Sequence, residues 1–138
     1  MSEAKCQLVQ SWLIKAQHDL ASAHVLTVSE PPLLDTAVYH CQQAAEKAVK
    51  GFLVFCDQEF ERIHDVQVLI QAAIPYAEAF AAWQEAGQRL TPFATLFRYP
   101  GLVVEPSPAQ FVQAIAIAEG LYNLVLSLLP DNMRPPAV

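Results

Sequence analysis

Apolar residues recur at the three-and-four spacing of an α-helix along nearly the whole chain, and no stretch alternates as a half-buried strand would. The first periodic segment runs from about Glu3 to Val28 and puts Leu8, Trp12, Ala16, Leu20 and Ala23 on one face. Glu30-Pro31-Pro32 ends it, because proline cannot continue the hydrogen-bond ladder and pushes its predecessor out of the α region. A second helix follows from about Leu34 to Cys56. Its stripe is Ala37, Cys41, Ala44, Ala48 and Phe52, widened by Ala45, Val49 and Leu53. A third opens at His64-Asp65, where Asp65 is placed to cap it, and carries Val66, Leu69, Ile70 and Ala73 up to Pro75. The fourth covers about Tyr76 to Leu90 with Phe80, Trp83, Gly87 and Leu90 inward, and Pro92 must kink or restart it before Phe93, Ala94 and Phe97. Arg98-Tyr99-Pro100-Gly101 reads as a turn. Ser107-Pro108-Ala109-Gln110 then starts the last helix: a serine N-cap, a proline at N1 and a glutamine at N3 that closes a capping box. Phe111, Ile115, Ala118, Leu121, Tyr122, Val125 and Leu129 form its inner face.

Five helical segments joined by short loops predict an all-α fold, an up-down antiparallel helical bundle of four long helices plus a short helix. Residues 1–130 make one domain, and 131–138, with Pro135 and Pro136, read as a flexible tail.

Composition sharpens this picture. At 54% apolar and 16% charged, the chain is greasier than a typical soluble domain, for which about 45–50% and about 25% are usual. Such a bundle covers part of its surface with a partner, and a homodimer is the simplest way. The net charge of −6 and eight Lys+Arg provide no broad nucleic-acid face, although a small local cationic site fits. No uncharged apolar run reaches the roughly 18–20 residues that would cross a membrane; the C-terminal candidate is interrupted by Glu119 and bounded by Pro108 and Pro130. The N-terminus has no secretory pattern, and Cys6, Cys41 and Cys56, odd in number and without CxxC spacing, suit reduced thiols in a cytoplasmic protein.

Candidate chemistry concentrates in a few places. On the second helix His40, Gln43, Lys47 and Lys50 fall along one flank of the apolar stripe, with Glu46 four residues before Lys50. The bland alternative for that flank is a solvated helix edge. His64 and Asp65 open another helix, and Arg98 and Tyr99 sit at a turn. Converging cations beside a tyrosine suit a phosphorylated small molecule or an acidic partner surface. Against that stand a helix cap for His64-Asp65 and a carboxylate-pinned turn for Arg98. A di-metal bundle site needs two Glu-x-x-His copies, and only Glu61-Arg62-Ile63-His64 matches, so neither a metal nor a cofactor is expected. Nucleophile elbows and glycine-rich phosphate loops are absent from the sequence.

The run His40-Cys41-Gln42-Gln43-Ala44-Ala45-Glu46-Lys47-Ala48-Val49-Lys50, followed by His64-Asp65 and by Arg98-Tyr99-Pro100, resembles the HEPN domain. With Trp12, the Asp19-Leu20 pair and the final helix, the resemblance spans nearly the whole chain. It implies a helical bundle that usually dimerises. It also implies a nucleotide ligand, or a small nucleotidyltransferase partner encoded alongside, as in a toxin–antitoxin or stress module. The ligand or partner site then comprises His40, Gln43, Lys47, Lys50, His64, Asp65, Arg98 and Tyr99. Some branches of the family cut RNA with an Arg followed four to six residues later by His. Here Arg62 is two positions from His64, and neither Arg89 nor Arg98 has a His within the next six. The expected role is therefore a non-catalytic binding module, ahead of a diverged ribonuclease using His64 with Arg98 or Arg62, and of a purely structural partner subunit.

Overall fold

The computed structural model describes residues 2–100 and 105–136. Five α-helices build it, with no strand among the described residues: α1 (Glu3–Val28), α2 (Leu34–Phe55), α3 (Val66–Ala73), α4 (Gln84–Leu90) and α5 (Pro108–Leu128). The helical bundle is all-α as the periodicity requires. Within it, Tyr76–Leu90 is shorter and less regular than the expected fourth long helix. It forms a 3₁₀ segment, Glu78–Trp83, before α4, and a second 3₁₀ turn, Thr91–Ala94, takes up Pro92 near its start. Pro75 and Pro92 interrupt the hydrogen-bond ladder near the two ends of the segment, and 3₁₀ turns flank the short α4 on both sides.

α2 is the axis of the molecule. It packs against α1 on one side, α5 on another and α3 on a third. Fourteen of its residues are buried, Gln42, Gln43, Glu46 and Lys50 among them, so the alternative of a solvated helix edge does not hold over much of its length. Gly51 sits where α1 crosses closely: a methyl group there would meet Leu13 Cδ2 at 2.5 Å and Trp12 Cβ at 3.1 Å. α2 ends in a Schellman motif, with Gln58 N–H donating to Leu53 O and Asp57 N–H to Val54 O. Asp57 takes the left-handed position, φ 58°, that glycine usually fills.

α1 begins and ends where its pattern places it, but its buried face is rotated. Val9, Leu13, Ala16, Asp19 and Ala23 are inside, whereas Leu8 is exposed and Trp12 and Leu20 are half-buried. The helix is apolar around much of its circumference, so two registers compete and packing on α2 selects one. α5 has the expected start: the Ser107 side chain accepts from Gln110 N–H, and the Gln110 side chain accepts from Ser107 N–H. It is long and apolar enough to cross a membrane by length and composition, yet it lays Phe111, Ile115, Ala118, Leu121 and Val125 into the core. The tail is not frayed over residues 131–136. Met133 is fully buried, Gln10 Nε2 donates to Asn132 O and Gln17 Nε2 to Pro136 O, which seats the segment on α1. Gly101 of the expected turn lies outside the described residues.

Candidate functional site

Two buried carboxylates organise the polar side chains around α2. Asp19, on α1, interrupts the apolar stripe Ala16–Ala23 and faces α2. There its Oδ1 is 2.7 Å from His40 Nδ1, and its Oδ2 accepts from Lys47 Nζ at 2.6 Å. Glu46, on α2, holds His64 Nδ1 at 2.8 Å through Oε1 and Lys50 Nζ at 3.3 Å through Oε2. Lys50 also lies over the rings of Trp12 and Phe60, at 5.7 and 5.5 Å from their centroids. Two aromatic faces and a carboxylate replace the water that a buried ammonium loses. Gln42 completes the arrangement by donating to His64 O at 2.9 Å, which fixes the chain just before α3.

This geometry divides the expected site. Gln43, His64, Arg98 and Tyr99 come together, lining one cavity of about 300 Å³ with Tyr39, Ala94 and Thr95. Lys47 and Lys50 do not join them; each is neutralised on a carboxylate away from the cavity. His40 borders a second cavity of about 300 Å³, lined with Asp35, Thr36, Tyr39, Phe97 and Arg98. Asp65 is a helix cap, accepting from Val68 N–H at 3.2 Å, and its Oδ1 also accepts from Thr91 Oγ1. Arg62 is exposed and lines neither cavity. Arg98 has no carboxylate partner among the described residues. Its guanidinium instead lies over the Tyr39 ring, Cζ 3.8 Å from the centroid, as the ridge between the two cavities.

The carboxylates fix the histidine rings. A carboxylate at Nδ1 holds the proton on that nitrogen, so neutral His64 keeps its lone pair on Nε2. Nε2 then accepts a proton, or donates one once the ring is charged. The nearby thiol is inert: burial pushes Cys41 up to about 12, helped by the carboxylates of Glu119 and Asp19. The helical patterns did not mark Asp19 on α1, or Tyr39, Gln42 and Glu46 on α2, as site components. Asp19 had left a signal, a charge inside an apolar stripe. Glu46 had left only its i,i+4 spacing to Lys50, which the structure realises at 3.3 Å, and nothing local to α2 marked it as buried.

A sequence model of the HEPN domain matches residues 9–128, nearly the whole described bundle. The chain belongs to the HEPN domain family. The crystal structure of an archaeal HEPN homologue is similar to it at 27% identity and a TM-score of 0.67, covering 87% of this chain and 96% of that one. No curated protein matches the chain. In this HEPN domain the run from His40 to Lys50 is thus the central helix, and the His64 and Arg98 segments close over one of its sides.

Proposed function

We propose that this HEPN domain is a binding and interaction module that acts as a homodimer and takes a nucleotide, or a small nucleotidyltransferase partner, at the Tyr39–Gln43–His64–Arg98–Tyr99 cavity. One observation carries the reading. His64 and Arg98, 34 positions apart in the chain, line the same cavity beside the Gln43 amide, and Arg98 has no acid to neutralise it among the described residues. Such a cavity selects an anion with acceptor oxygens, such as a phosphate group or a partner's carboxylate. Exposed Leu8, Val25, Val28, Leu33 and Val112 support self-association, and a stable interface would bury at least about 1,000 Å² in total. The family resemblance supports the nucleotidyltransferase and the toxin–antitoxin setting. Titration with nucleoside triphosphates and with any co-encoded nucleotidyltransferase tests the reading. Arg98→Ala should weaken binding about 10- to 150-fold, the loss of one charge-assisted hydrogen bond. Light scattering that gives a 15.2 kDa particle at tens of micromolar would remove the dimer.

The His64–Glu46 contact favours a second reading, RNA cleavage. It readies Nε2 for proton transfer in the cavity that Arg98 charges, and Arg98 reaches that cavity through the fold instead of through an Arg-(4–6)-His spacing. Degradation of RNA by the purified protein, abolished in His64→Ala, would replace the first reading with this one.

A further inference from the structure

The two cavities beside Arg98 are chemically unlike. Each holds about 300 Å³, at the lower end of the roughly 300–1,000 Å³ typical of small-molecule sites. They share Tyr39 and Arg98, so a ligand larger than a phosphate group that contacts Arg98 has the second cavity open to it. The first is lined by Gln43, His64, Thr95 and Tyr99, and no carboxylate is part of its wall. The second has Asp35 in its wall, with Thr36, His40 and Phe97. Asp35 Oδ1 accepts from Thr36 N–H at 2.8 Å, while Oδ2 has no partner among the described residues. A carboxylate there repels phosphate and accepts hydrogen bonds from hydroxyl or amino groups. Phe97 and Tyr39 add aromatic surface to the same cavity, and aromatic surface suits a base.

We propose that the Asp35–Thr36–His40–Phe97 cavity is a nucleoside subsite, so that the ligand is a nucleoside phosphate lying across Arg98 with its phosphate beside His64. This rests on the reading that the Arg98–His64 cavity takes an anionic ligand. It adds the polarity of the site and its discrimination against bare inorganic phosphate chains. The competing account makes Asp35 only an acid in the first turn of α2, where it complements the helix dipole. On that account its replacement touches stability and leaves ligand choice unchanged.

Calorimetric titration of the full chain with ATP, GTP, CTP, UTP and inorganic tripolyphosphate decides between them. The tightest nucleoside triphosphate should bind at least about tenfold tighter than tripolyphosphate. Asp35→Asn keeps an oxygen for Thr36 N–H and should erase that margin by weakening the nucleotide, while tripolyphosphate affinity holds or rises with the loss of the repelling charge. Phe97→Leu should erase the margin at unchanged tripolyphosphate affinity, and retained tripolyphosphate binding certifies the fold of both variants. Equal binding of tripolyphosphate and all four nucleotides, or parallel loss of both probe classes in Asp35→Asn, overturns the subsite and leaves the anion-site reading standing. Binding of none of the five probes overturns the subsite and the nucleotide reading together.

Discussion

The Asp19 and Glu46 clusters have the same parts and different surroundings. Each is a carboxylate bound to one histidine Nδ1 and one lysine Nζ. Around Asp19, His40 and Lys47 keep 27% and 25% of their side-chain surface exposed. Around Glu46, Lys50 keeps 8% and is sealed under Trp12 and Phe60, while His64 keeps 67%. Asp19 therefore joins two helices near water, where charges can be rehydrated. Glu46 has one partner in the interior and one at the rim of a cavity, so a single carboxylate both neutralises a buried cation and orients a ring that lines the cavity. The contrast shows how the same ion-pair chemistry yields a fastening at one place and an aimed side chain at another, according to which partner faces solvent.

The largest difference between the two clusters is expected at Glu46. Glu46→Ala leaves Lys50 charged, buried and unpaired, and should cost about 3–5 kcal/mol by denaturant titration. Asp19→Ala strands one ammonium and one imidazole that water can reach, and should cost about 1–2 kcal/mol. Equal losses at the two sites would show that burial does not distinguish them.

The thiol beside Asp19 gives a pH test of similar size. Cys41 has a pKa raised from 9.0 to about 12 by burial, so the unfolded chain loses this proton first. The stability it contributes is whole below about pH 9 and falls by up to about 1.4 kcal/mol per pH unit as pH rises towards 12. Melts in that window should show a steeper decline for the wild type than for Cys41→Ala; parallel curves would mean that water reaches the thiol.

Arg98→Ala should change stability by only about 0.5–1 kcal/mol, since it loses a stack on Tyr39 and no ion pair with a described residue. A much larger loss would make Arg98 scaffold and not site. The smallest change sets the floor: Asp57→Gly should raise stability by no more than about 1 kcal/mol, because glycine holds the left-handed position without strain and the lost pair with Lys5 is open to water on its Asp57 side.

Legibility followed from what each residue depends on. The ends of α1, α2 and α5 came within a residue or so of their reading, because prolines, Ser107 and periodicity act locally. The face of α1 did not, since an apolar helix leaves its register to the neighbour it packs on. The tail failed for a related reason: a chain of prolines and polar residues has no local pattern, and Met133 is ordered by the α1 surface it meets.

Periodicity, caps and the His40–Lys50 run suffice for an all-α chain of the HEPN family, for a helix from Leu34 to about Cys56, and for the residue types from which a site could be made. Which of those residues share a cavity is set by the packing of the helices. Lys47 and Lys50 lie on the same helix flank as Gln43, yet Asp19 claims one and Glu46 with two aromatic rings claims the other. Arg98, far along the chain, is brought over Tyr39 to stand beside His64. Helical periodicity records which side of one element a residue occupies. Which charge it meets there is set by elements remote in sequence, through distances that no local pattern encodes.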